Sequence, residues 1–261
     1  MELVIYQVDA FAEQRFQGNP AAVVPLTSWL PDQLLQNIAL ENNLAETAFY
    51  VKEPGGYHIR WFTPTTEVDL CGHATLATAY VLMNHEGFLE EKIIFKSKSG
   101  PLSVSRKGKQ LVLDFPADTL TPAMLPEALG NSFHIKPTHV FRGKTDFMLV
   151  FENESQIRSL QPDLIRLASV PCRGVIVTAP GDKTDFVSRF FGPQSGVNED
   201  PVTGSAHTSL TPYWANRTGK RNLSAIQCSS RGGRLDCVLR GDRVEIAGQA
   251  SLYLIGKIFI D

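Results

Sequence analysis

The chain has 261 residues, 43% hydrophobic and 20% charged, proportions ordinary for a packed globular protein and sufficient for two modest domains or one large one. Its 25 Lys and Arg stand against 27 Asp and Glu, a formal net charge of -2, which excludes the basic footprint of a nucleic-acid binder. No run approaches the roughly 20 consecutive apolar residues of a membrane span, and the opening MELVIYQVDAF lacks the charged, apolar, then small-residue layout of a secretory signal, so a cytoplasmic location is expected.

In chain order, Leu3 and Ile5 alternate with Val4, Tyr6 and Val8 as in a strand, which breaks at FQGNPAAVV. LPDQLLQNIALENN places Leu34, Leu35, Ile38 and Ala39 at helical spacing, with Pro31 and Asp32 suited to a helix start. AETAFYV is extended, and YHIRWFTP alternates until Pro64 stops it. From Gly72, GHATLATAYVL is apolar on most faces, as a central buried helix would be. KIIFKSKSGPLSVSRKGKQLVLDFP reads as three short strands ending at Pro116. Residues 117–137, rich in Pro, Thr and Ala, suggest a linker. The expected halves are therefore 1–117 and 118–261, with the last strand able to cross back to the first half. THVFRG, DFMLVFE and GVIVTAP are further strands, with a short helix at QPDLIRLAS. DFVSRFFGP leads to a second apolar helix from about 204, and a meander of strands turns at Gly232-Gly233 and Gly241-Asp242.

The halves share an order. Arg60, Phe62, Pro64 and Val68 fall opposite Arg189, Phe191, Pro193 and Val197, and the two helices then align after a three-residue insertion in the second copy. This favours an internal duplication, each half a sheet around one buried helix.

The helix starts carry the chemistry. Unpaired N–H groups and a partial positive charge make a helix N-terminus attractive to anions. Gly72 and Gly204 would let a ligand approach the backbone, and His73 and Ser205 would add side-chain hydrogen bonds. Two such starts facing each other would hold a small carboxylate. The plainer alternatives are tight turns at the glycines, a cap at Ser205 or Asp200, a satisfied core histidine at His73 and a turn residue at Asn19. Glu46 stands among Leu44, Ala45, Ala48 and Phe49, a candidate for a group that takes up and releases protons; otherwise it caps a helix end or faces water. Cys71 is either a thiol activated by the helix start or a small buried residue. The four cysteines show no CxxC and the six histidines no HExxH, so neither a metal site nor a disulfide framework is expected.

VDAFAEQRFQGNPAAVV, AETAFYV, RWFTPTTEVDLCGHATLA, EDPVTGSAH and QCSSRGGRL, in this order from residue 8 to about 235, resemble the phenazine-biosynthesis PhzF-like isomerase family. The resemblance implies the α+β diaminopimelate-epimerase-like fold, with two pseudo-symmetric halves and the active site between them. It also implies cofactor-independent proton transfer on a small carboxylate-bearing substrate, usually in a homodimer. The family's catalytic glutamate falls on Glu46, its histidine on His73, its aspartate on Asp200 and its small polar residue on Ser205. Ala45 stands where the family often has serine. Two rival readings are an epimerase using Cys71 with Glu46 or Asp200, and a member that binds a metabolite without turnover.

Overall fold

The structure, a computed structural model, describes residues 1–260. The chain divides into two compact units: Met1–Asp114 together with the segment from Ala247 on, and Phe115–Ile246. Among the described residues no helix is long and apolar enough to cross a membrane.

In the first unit, β1 (Glu2–Ala10) lies antiparallel to both β2 (Asn19–Leu26) and the closing strand, Ala250–Phe259. β2 runs parallel to β3 (Glu46–Glu53), with Ala21 opposite Glu46, and α1 (Asp32–Asn42) makes the crossover. The apolar stripe of α1 explains its place: Leu35, Ile38 and Ala39 pack on Val24, Phe49 and Phe62. Asn43 ends this helix in the left-handed region (φ 49°), a conformation asparagine tolerates better than most residues. β4 (Gly56–Phe62) pairs antiparallel with β3 and with the two-residue β5 (Glu67–Val68), and parallel with β6 (Lys92–Ser97). The crossover between β4 and β6 is α2 (Gly72–Asn84), ten of whose 13 residues are buried. β7 (Gly100–Lys107) and β8 (Gln110–Pro116) continue the meander.

The second unit begins with β9 (Thr121–Pro122), α3 (Glu127–Gly130), β10 (His139–Arg142) and β11 (Phe147–Val150), followed by α4 (Glu154–Ser159) and α5 (Leu164–Ala168). β11 runs parallel to β12 (Val175–Pro180), with Phe147 opposite Val175. β13 (Phe186–Gly192) is antiparallel to β12 and to β14 (Val197–Asp200), and parallel to β15 (Asn222–Gln227). α6 (Ala206–Thr218) makes that last crossover. β16 (Gly233–Arg240) pairs with β15, and β17 (Arg243–Gly248) leads to β18, the closing strand already described.

Both units thus contain the same parallel pair followed by an antiparallel turn, a buried 13-residue helix and a second parallel pair. The repeat extends to side chains. Arg60 forks onto Glu67 at 2.8 and 2.9 Å, and Arg189 onto Glu199 at 2.7 and 3.0 Å. Each guanidinium also lies over a phenylalanine two residues on, at 5.1 Å for Phe62 and 4.8 Å for Phe191. Strand register agrees, since Trp61 faces Val68 and Phe190 faces Asp200. The insertion therefore comes earlier than the sequence alignment placed it: Val68 corresponds to Asp200, not to Val197. The extra residues form the short 3-10 turn Pro193–Ser195, closed by Gly196 at φ 84°.

Residues 117–137 are not a loose linker. Leu129 and Phe133 are buried in the second unit's core, and Asp118 clamps α6. Pro212 lacks the N–H that would bond the Thr208 carbonyl; the Asp118 N–H bonds it instead at 3.1 Å, while Ser209 Oγ donates to Asp118 Oδ2 at 2.8 Å.

Candidate active site

Parallel pairing of β2 and β3 brings two strand starts side by side, so Asn19 and Glu46 lie at the same end of the sheet. Cys71 reaches α2 in an extended conformation (φ -142°, ψ 110°), and His73 stands in the first helical turn, 4% exposed. His73 Nε2 is 3.1 Å from Glu46 Oε2 and Nδ1 is 3.1 Å from the Asn19 amide. Cys71 Sγ lies 3.5 Å from Nδ1 and 4.0 Å from Nε2. Of the central pair, the Glu46 side chain is the more accessible, 16% against 5%.

Burial works against a charged His73, but the groups around its ring, Cys71 and Glu46, outweigh it and hold the imidazole well above its ordinary range. The Cys71 thiol is pushed up to about 11, first by burial and then by the Glu46 charge. It is therefore protonated near neutral pH, which leaves the Glu46 carboxylate as the charged neighbour of the ring. In the structure the Asn19 Nδ2 faces Nδ1; a ring that donates from Nδ1 would need the amide turned so that its oxygen faces it. The group is a carboxylate beside an imidazole, with the carboxylate the more exposed of the two, an arrangement able to accept, hold and return a proton.

One donor atom from each of Glu46, Cys71 and His73 lies within 4.8 Å of the others. This is a potential metal-ligand set that the chain spacing did not signal. In the structure these donors are engaged with one another.

In the second unit, β14 ends at Asp200 and a short loop leads into α6. Asp200 Oδ2 accepts from Thr203 Oγ1 at 2.6 Å. The fully buried Gln227 spans the loop, its Nε2 donating to the Asp200 carbonyl at 2.7 Å and its Oε1 accepting from the Thr203 N–H at 2.9 Å. His207 Nδ1 meets the Thr203 carbonyl at 2.9 Å. Ser205 sits at the helix cap position but makes no capping bond; its Oγ accepts from Arg173 Nη1 at 2.9 Å. Arg173 also forks onto the buried Asp146 through Nε and Nη2.

Asn19, Glu46, Gly72 and His73 therefore come together in the first unit beside Cys71, and Asp200, Gly204 and Ser205 in the second. The cap reading of Ser205 is replaced by its bond to Arg173. The residues that sequence reasoning missed are Arg173, Asp146 and Gln227. Arg173 and Asp146 are 27 positions apart and meet only because the β11–β12 register aligns the segments preceding those strands.

This α+β architecture, two repeats each built around a central helix, is shared with epimerases. A hydroxyproline epimerase from Agrobacterium vitis superposes with a TM-score of 0.62 at 11% identity, covering 98% of this chain and 92% of that one, a likeness of fold. The family model described as phenazine biosynthesis-like protein matches residues 8–256, and the chain belongs to that family. An uncharacterized isomerase from Pseudomonas aeruginosa is 55% identical over 260 residues, spanning 100% of both chains. The crystal structure of a PhzF-family phenazine biosynthesis protein from Enterococcus faecalis matches with a TM-score of 0.96 at 47% identity, over 100% of each.

Proposed function

We propose that this protein is an isomerase that moves a proton within a small carboxylate-bearing metabolite, with Glu46 as the acid/base. Glu46 takes a proton from one substrate carbon. The electron pair of the broken C–H bond enters an adjacent π system, the double bond shifts, and the proton is returned to the carbon at the far end. No electrons are gained or lost, so this step as written requires no redox partner. His73 stabilises the ionised form of Glu46 before the first transfer and after the second, and Asn19 fixes the ring. Gly72 and the first N–H groups of α2 would receive developing negative charge on the substrate. Asp200, Gly204 and Ser205 would bind the substrate's polar groups. A positioned acid/base of this kind contributes on the order of 10²–10⁴ in rate.

The observation that carries this reading is the 3.1 Å contact between Glu46 Oε2 and His73 Nε2, in which the carboxylate is the accessible partner. A thiol base is disfavoured by the protonated state of Cys71. The test is a panel of small unsaturated carboxylic acids incubated with the protein in D₂O and followed by mass spectrometry. Deuterium should enter a substrate with wild-type protein and not with Glu46→Gln; equal incorporation with both would remove Glu46 as the base.

A further inference from the structure

The two units hold the side chain after the helix-start glycine in different ways. In the first unit that residue is His73, held by Asn19 and Glu46 from the starts of the parallel strands β2 and β3. In the second it is Ser205, held by Arg173, two residues ahead of β12, with Asp146 immediately ahead of β11. The same corner of the repeat supplies the holder each time.

Arg173 is restrained through both its backbone and its guanidinium, although its side chain is 37% exposed. Its N–H donates to the Thr145 carbonyl at 2.9 Å, and its own carbonyl accepts from Ser195 Oγ at 2.8 Å. Its guanidinium lies over the Phe190 ring at 5.2 Å. That ring occupies the space beside Gly174, where a Cβ would meet its tip at 2.2 Å. The fork onto Asp146, whose side chain is 5% exposed, completes the restraint. An arginine held this firmly has already lost the rotamer freedom that a looser side chain would give up on binding.

The consequence falls on Ser205. A hydroxyl can donate one hydrogen bond and accept others, and which it offers a ligand depends on its existing partner. A guanidinium only donates, so Oγ is an acceptor toward Arg173, and the Ser205 proton is left to be given elsewhere. The neighbouring positive charge strengthens that donation.

We propose that Arg173 is a positioning residue: it commits the Ser205 hydroxyl to donating, and so makes the start of α6 selective for an anionic oxygen of the substrate over a neutral one. This rests on the reading of Ser205 as a substrate-binding residue and assigns the group it recognises.

The test uses benzoate as an anionic probe and benzamide as its neutral counterpart, titrated calorimetrically into the whole protein. Wild type should bind benzoate in preference to benzamide. Ser205→Ala should lower benzoate affinity about tenfold and leave benzamide unchanged. Arg173→Met should do the same, and the double variant should lose no more than either single one, because Arg173 acts through the hydroxyl. If Arg173→Met strands the Asp146 carboxylate and fails to fold, Arg173→Met combined with Asp146→Leu removes the pair together and should show the same selective loss.

Equal benzoate affinity in wild type and Arg173→Met would overturn the proposal, as would wild-type binding of benzamide as tight as that of benzoate. Parallel loss of both probes would reduce Arg173 to a structural role. Additive losses in the double variant would mean that it contacts the ligand itself. Retained proton exchange in Glu46→Gln would instead sink the catalytic reading and leave the role of Arg173 standing.

Discussion

Acid should loosen the second unit at an identifiable histidine. His207 is 0% exposed, its Nδ1 is bonded to the Thr203 carbonyl, and its Nε2 has no hydrogen-bond partner among the described residues, with the Phe186 ring 5.9 Å away. Burial lowers its pKa from 6.5 to about 4, against a smaller opposing effect of the Thr203 bond. Unfolding exposes the ring and restores the ordinary value, so the unfolded chain binds a proton at a pH where the native one does not. Stability is therefore full above about pH 6.5 and falls as the pH drops toward 4. The linkage integral amounts to about 3 kcal/mol at pH 4, a large share of a typical folding free energy. His207→Asn keeps a donor for Thr203 and does not titrate. Urea unfolding of both proteins at pH 7 and pH 4 cancels the acid response of every other group. The wild-type advantage over the variant should shrink by about 3 kcal/mol between the two; an unchanged difference would refute the reasoning.

Two further outcomes bear on the first unit. Cys71→Ala should leave deuterium exchange within about threefold of wild type, with a stability loss of about 1 kcal/mol from the small void; abolished exchange with an intact fold would favour the thiol epimerase. Gly18 has φ +67°, and a Cβ there would meet the Ala10 carbonyl oxygen at 2.1 Å, so Gly18→Ala should cost more than about 2 kcal/mol in thermal or urea unfolding and, by moving Asn19, weaken exchange. Near-wild-type stability would show that this turn is less constrained than it looks.

The candidate site residues were legible because each stands in a local pattern. Glu46 opens a strand of apolar neighbours, His73 follows a glycine at the head of a helix too apolar to be exposed, and Asp200 and Ser205 bracket the second such start. Their supports were not legible. Arg173, Asp146 and Gln227 reach the site through pairing between distant strands, and no spacing along the chain encodes that register. The duplication was visible, but its gap was misplaced by matching Val68 to Val197 on residue type, whereas the Arg60–Glu67 and Arg189–Glu199 forks fix the true correspondence. The 117–137 stretch misled because its proline and threonine content resembles a linker, while two large apolar residues, Leu129 and Phe133, decide its burial.

A single glutamate that both removes and returns the proton can carry a label from one carbon to the other. The most direct measurement takes a substrate found in the exchange screen, deuterated at the carbon that loses its proton, and runs the reaction in H₂O under single-turnover conditions. Wild-type protein should deliver part of that deuterium to the new position in the product, and Glu46→Gln should yield no labelled product. Label transfer that survives in Glu46→Gln would contradict the account.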